Sequence, residues 1–193
     1  MSISLSKGQK ISLNKADGGQ LTKIAVGLGW GKKKGFLGIK SSVDLDASCL
    51  VYDEGKTAID AVFFRKLRSD DGSIVHTGDD LTGGGSENDP NEVINVSLNA
   101  VPANVKSVVF VVNSFSGETF KGVPFAFCNV VDATTGSEVA RYSLDTAGGN
   151  YKGFIIAKVY RHDGEWKFHA IGESCSGRQR TVADIEPQAR NHA

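Results

Sequence analysis

Nowhere in its 193 residues does the chain sustain an apolar stripe at 3.6-residue spacing. A long surface helix must bury such a stripe, so the core of this chain is not built from long helices. Short runs take their place, at 2–5, 10–13, 23–30, 43–53, 58–64, 74–76, 93–98, 107–113, 124–131, 137–143, 153–160 and 165–171. Most alternate with period two or are rich in Val, Ile and Phe, the composition of half-buried and buried strands. Turn signals punctuate them. Asp70-Asp71-Gly72-Ser73 and His162-Asp163-Gly164-Glu165 read as hairpin turns, because Asp-Gly supports the positive φ of a type I′ turn. The segment 132–137, DATTGS, is another connection of hairpin length. The expected fold is all-β, a β-sandwich of two mainly antiparallel sheets with acidic metal-binding loops at one end. No internal linker or repeat divides it. One domain is expected over 1–177, followed by a polar tail, 178–193, read as a surface segment or a frayed end.

One stretch fits neither strand nor helix. Residues 78–92 read GDDLTGGGSENDPNE. Three consecutive glycines favour sharp turns, and Pro90 removes a backbone donor. Asp79, Asp80, Glu87, Asp89 and Glu92 crowd the loop, with Thr82, Ser86, Asn88 and Asn91 between them. So many carboxylates repel one another unless a cation sits among them. A hard divalent cation, Ca²⁺ above all, takes six to eight oxygen ligands of these kinds. A second acidic feature lies at 43–50, VDLDASCL, which alternates as a strand does. Residues two apart on a strand point the same way, so Asp44 and Asp46 face one side, with Ser48 next in line. The plainer account of 78–92 is a solvated acidic loop. Two separate acidic features call for one explanation, and convergence on a calcium site supplies it. The candidate metal ligands are Asp44, Asp46, Asp79, Asp80, Thr82, Gly84, Ser86, Glu87, Asp89 and Glu92, with room for two ions. The spacing is not that of an EF-hand, and hard oxygen donors without a thiolate–imidazole cluster exclude a typical zinc site.

Charge supports the same division. Lysine plus arginine equals aspartate plus glutamate at 22 each, yet seven of the acids lie in the two acidic stretches, leaving the remainder basic by 7. Zero net charge argues against a general nucleic-acid binder. The first residues show no apolar signal region, and no run approaches the length of a membrane span, so a cytoplasmic protein is expected. Three cysteines without a CxxC pair fit a reduced compartment. Cys49 and Cys128 sit in apolar runs and read as buried thiols. Cys175 sits in a polar run and reads as exposed.

The segment 31–40, GKKKGFLGIK, sets Lys32, Lys33, Lys34 and Lys40 around Phe36, Leu37 and Ile39. Charge runs are usually solvated; this one also offers a direct contact for a membrane surface, a phosphate or an acidic partner. No GxSxG, GxxxxGK[ST] or HExxH is present. The histidines His76, His162, His169 and His192 are scattered. His76 stands near the acidic loop and reads as an ordinary strand-end residue.

Several motifs in order carry a family resemblance: SLSKGQKISL at the start, VGLGW at 26–30, DLDASC at 44–49, HTGDDLTG at 76–83, LNAVP at 98–102, FVVN at 110–113, EVARYSL at 138–144 and YRHDGEWKFHAIG at 160–172. Together they resemble the TerD family of tellurium-resistance and stress proteins, nearest to its TerZ type. The resemblance implies a cytoplasmic, non-enzymatic β-sandwich that binds Ca²⁺ through the DLD strand and the loop after the Gly-Asp pair. It also implies partners among other tellurite-resistance proteins of the same gene cluster, some in a membrane-associated complex at the inner membrane. Carried over by position, the DLD pair is Asp44 and Asp46, the Gly-Asp pair ends in Asp79, Asp80 follows, Thr82-Gly83 is the threonine–glycine step and Glu92 closes the loop. The chain departs from the family pattern between them, at 85–92, where Ser86 takes one ligand position. Three roles follow: a calcium-binding scaffold or sensor, a C2-like module docking on anionic lipid or phosphate, or a thiol-based detoxifier using Cys175.

Overall fold

The alternating runs become twelve strands in two facing sheets. The computed structural model describes residues 2–15, 17–34, 40–81, 83–84, 86–144, 149–175 and 181–193. In the first sheet the spatial order is β1 (Ile3–Leu5), β12 (Ser137–Ser143), β11 (Ala126–Asp132), β3 (Ile24–Trp30), β9 (Glu92–Val96) and β8 (Ile74–His76). The second runs β2 (Lys10–Ser12), β14 (Glu165–Ser174), β13 (Gly153–His162), β10 (Val105–Ser114), β6 (Leu45–Asp53) and β7 (Ala58–Val62). Every pairing within the two sheets is antiparallel except β1 against β12. The turn between β13 and β14 has Asp163 at φ 52° and Gly164 at φ 77°, the two positive angles that a type I′ hairpin needs.

Period two decides which side chains meet. On β6, Leu45, Ala47, Cys49 and Val51 enter the core between the sheets, beside Val108, Phe110 and Val112 of β10. Val26, Leu28 and Trp30 of β3, with Ile94 and Val96 of β9, face them from the first sheet. The intervening residues of β6, Asp46, Ser48, Leu50 and Tyr52, point to the outer face and are nevertheless buried.

The last two of these are covered by the C-terminal segment, which departs from the expected frayed tail. A short helix, α1 (Val182–Ala189), buries Val182, Ile185 and Ala189 against Leu50, Tyr52, Val109, Val111 and Ile155. Its start is marked by Asp184, whose carboxylate accepts the Thr181 N–H at 3.1 Å. Eight residues with Pro187 inside them carry too little helical pattern to read from sequence. The same cluster encloses Cys175, 2% exposed, and burial pushes its thiol up to about 12. The expectation of an exposed, reactive Cys175 is therefore corrected: the thiolate that such chemistry needs is suppressed. Cys49 and Cys128 are buried free thiols as expected. Within the basic segment, β4 (Lys33–Lys34) pairs with β5 (Lys40–Ser41) in a small ribbon, and Phe36, Leu37 and Ile39 lie outside the described residues.

Candidate metal centre

The centre is built where β6 lacks a neighbour. β7 pairs with β6 only at Cys49 to Tyr52, so the opening residues of β6 have an open backbone edge. Side chains from the other sheet close it. Glu92, the first residue of β9, takes the Ala47 N–H on Oε2 at 2.7 Å. His76, the last residue of β8, places Nε2 3.2 Å from both the Ala47 carbonyl and Glu92 Oε2. His76 Nδ1 accepts the Gly78 N–H at 3.1 Å, which assigns the ring proton to Nε2. Glu92 Oε1 accepts the Asp80 N–H at 2.9 Å. One carboxylate thus ties the edge strand, the opposing sheet and the acidic loop together. Burial is the main force lifting the Glu92 pKa, and its hydrogen bonds oppose that lift. Sequence reading gave His76 no such place, because its partners are remote in the chain.

The loop is held in shape by Asn91. Its Nδ2 donates to Asp80 Oδ2 and to the Gly84 carbonyl, each at 2.8 Å, and its Oδ1 accepts the Trp30 N–H at 2.8 Å. Gly83 sits at φ 60° with the Trp30 indole where a β-carbon would be. That indole donates through Nε1 to the carbonyl of Val43, the residue before Asp44. Trp30 therefore couples the glycine turn of the loop to the start of the acidic strand.

Three carboxylates converge in this frame. Asp44, Asp46 and Asp79 each bring an oxygen within 4.8 Å of the others. Asp46 is 3% exposed and accepts one hydrogen bond from Asn113 Nδ2 at 3.0 Å, and Asn113 is its direct cross-strand neighbour on β10. Oδ1 of Asp44 is buried without a hydrogen-bond partner. Among the described residues no lysine or arginine forms an ion pair with any of the three. Burial first, then Asp44, Glu92 and Asp79, pushes Asp46 up to about 7, against the pull of Asn113. Asp44 is raised by burial and by Asp79 and Asp80. Crowded, partly dehydrated carboxylates with an unused oxygen are a poor arrangement for a metal-free protein and a good one for a hard divalent cation.

The other candidate ligands are placed differently. Asp80 and Gly84 are engaged by Asn91, and Glu92 by the strand edge. Ser86 donates to Asp89 Oδ2 at 2.7 Å in a local exposed turn. Glu87 is exposed, and its backbone carbonyl takes Arg141 Nη1 at 2.8 Å. Thr82 lies outside the described residues. Ser48 is buried farther along β6. Asn113, which sequence reading passed over, had one signal: it is a polar residue ending the buried run VVFVVN.

Residues 1–184 match the TerD domain. The chain is 47% identical over 189 residues to the tellurium resistance protein TerZ of Serratia marcescens, covering 95% of this chain and 94% of that one. It is 40% identical to general stress protein 16U of Bacillus subtilis (strain 168), covering 95% and 96%. The fold matches a crystal structure of a homologue of the telluride resistance protein TerD from Streptomyces coelicolor A3(2), with a TM-score of 0.67, 19% identity, and 86% and 95% of the two chains covered. With its domain match spanning nearly the whole sequence and relatives this similar from end to end, the chain belongs to the TerD family of tellurium-resistance and stress-response proteins.

Proposed function

We propose that this protein is a calcium-binding, non-enzymatic member of a tellurite-resistance and stress-response system, working as a scaffold or sensor with other products of that system at or near the inner membrane. The observation that carries the calcium reading is the convergence of Asp44, Asp46 and Asp79 around the partnerless Oδ1 of Asp44. In this reading those three carboxylates bind the first ion directly. Glu92 and Asn91 hold them in place, and Asp80 adds negative charge. A second ion draws on Glu87 and Asp89 of the exposed turn that follows. Bound calcium supplies positive charge where the fold has concentrated negative charge. The chain's own contribution is to fix two of the carboxylates on a strand and its approach before the ion arrives. The partner reading rests on the names of the relatives, which place TerZ, TerD and TerX among resistance proteins.

Calorimetry tests the metal. Ca²⁺ is expected to bind and Mg²⁺ to compete poorly, since Mg²⁺ demands a tight octahedron and gives up water reluctantly. Equal affinity for both ions would sink the calcium reading. A pull-down from the native host, run with calcium and with chelator, tests the scaffold role.

A specific observation favours a second reading, C2-like docking on anionic lipid. Leu81 is 63% exposed beside Asp80, and Phe115, which follows the strand end that pairs with Leu45, is 43% exposed. Large apolar side chains beside a cation site suit insertion among headgroups, with 31–40 as an additional contact. Co-sedimentation with liposomes, with and without Ca²⁺, separates the two readings.

A further inference from the structure

Far along the second sheet from the acidic centre, its outer face changes character. Lys10 on β2 is paired directly with His169 on β14, and His169 directly with Lys158 on β13. These three side chains form one row across three strands. Neighbouring strands lie about 4.8 Å apart, so the row is about 10 Å wide. Lys56 and Lys106 stand close enough to Lys158 to depress its pKa after burial, with Lys10 acting alongside them. His169 is pushed down to about 4, by burial first and then by Lys10, Lys158 and His192. It is therefore a neutral member of the row, and its Nδ1 is buried without a hydrogen-bond partner.

The acids of this face engage groups around the row and not the row itself. Glu165 accepts the Ser12 hydroxyl at 3.3 Å, Glu173 lies 3.1 Å from His192, and Glu54 lies 3.1 Å from Lys106. Among the described residues no carboxylate forms an ion pair with Lys10, Lys56 or Lys158. The Lys158 ammonium instead donates to the His192 carbonyl at 2.6 Å and lies 4.8 Å from the Tyr160 ring centroid. Lys56 reaches the Asn191 carbonyl at 3.4 Å.

We propose that the Lys10–His169–Lys158 row, with Lys56 and Lys106 at its rim, binds a soluble oligophosphate anion. Ammonium groups are compact point charges, a common way for proteins to hold phosphate. The row matches the length of two or three linked phosphates. A peptide ligand fits less well, because the apolar part of this face is already covered by α1. A bilayer also fits less well, because Lys158 is half-buried and its ammonium lies against the turn 190–192, where it donates to the His192 carbonyl.

The test is a titration of the whole protein with tripolyphosphate in chelator, which keeps the acidic centre metal-free. The four histidines report where the anion sits. The His169 and His192 ring proton resonances are expected to shift, while those of His76, buried in the other sheet, and His162, at a hairpin turn, stay still. In calorimetry, Lys10→Gln is expected to weaken binding about tenfold. Lys10 is exposed on a sheet edge, so this variant folds. Lys23→Gln, an exposed lysine before β3, is the control and keeps wild-type affinity. Lys158→Gln is expected to weaken binding further, with its melting curve showing that the fold is kept. An unmoved His169 at millimolar tripolyphosphate would overturn the proposal. Equal losses in Lys10→Gln and Lys23→Gln would also overturn it, since they would mean unspecific attraction. So would binding to phosphatidylserine vesicles without binding to tripolyphosphate. Calcium binding at the acidic centre is measured separately and does not bear on this outcome.

Discussion

Asp46 and Glu92 are both buried carboxylates, and the structure gives them opposite roles. Asp46 holds its proton up to about pH 7, whereas a carboxylate in an unfolded chain ionises near 3.9. The native state therefore binds that proton more tightly than the unfolded state. In metal-free protein this contribution to stability is complete below about pH 4 and is lost as the pH rises toward 7. Asp46→Asn removes the loss. It is expected to stabilise the metal-free protein near pH 8, by on the order of 4 kcal/mol at most, and to abolish stabilisation by calcium. Thermal melts in chelator and in calcium, near pH 5 and near pH 8, check both halves. Glu92→Ala is expected to do the reverse. It strips the Ala47 N–H, the Asp80 N–H and His76 of their shared acceptor, and is expected to cost roughly 3 kcal/mol with or without calcium. Denaturant unfolding measures it, and a neutral result would show that the strand edge does not depend on this carboxylate.

Two elements carry predictions of their own. The glycine turn of the acidic loop depends on Gly83, whose positive φ and contact with Trp30 leave no room for a side chain. Gly83→Ala is expected to weaken calcium binding and also to cost the metal-free protein about 1–3 kcal/mol, because the new β-carbon takes a strained φ and must displace the buried Trp30 indole. Calorimetry beside a melt in chelator separates the two effects. Helix α1 acts on the sandwich itself. Ile185 is fully buried between the helix and the outer face of the second sheet, so Ile185→Ala is expected to cost about 3 kcal/mol. A loss under about 0.5 kcal/mol in denaturant unfolding would return the segment to the frayed end that its composition suggests.

At the scale of the whole molecule, the proposed function makes calcium a folding ligand. A cation that binds only the native state stabilises it by RT ln(1 + [L]/Kd), about 2.7 kcal/mol at a hundredfold excess over Kd. It also relieves repulsion among Asp44, Asp46 and Asp79. A rise of several degrees in melting temperature is expected at millimolar Ca²⁺, and an unchanged melt would contradict the proposed function. The distribution of charge has a consequence at the same scale. The acidic centre lies by the start of β6, and the lysine row lies level with Leu50 but two to four strands across the same sheet, so the outer face of the second sheet carries patches of opposite sign in a chain of zero net charge.

The strands were legible because period two is a local property: each run from Ile24–Trp30 to Gly153–His162 shows in its own residues which face is buried. The hairpin at Asp163-Gly164 was legible for the same reason, since the turn is set by the φ angles its two residues tolerate. The acidic character of Asp44, Asp46 and Asp79 was on the page before any fold, because charge and oxygen ligands are properties of single residues. What the sequence could not supply was the company each residue keeps. Asn113 meets Asp46 through the register of β10 on β6, and His76 and Glu92 meet Ala47 across two sheets. The row from Lys10 to Lys158 joins residues some 150 positions apart in the chain. Helix α1 holds because an apolar face of the sheet was waiting for it; its own eight residues and internal proline would not keep it folded. Local pattern is written in neighbours along the chain. Register, sheet order and burial depend on every strand at once, and only the tertiary structure decides them.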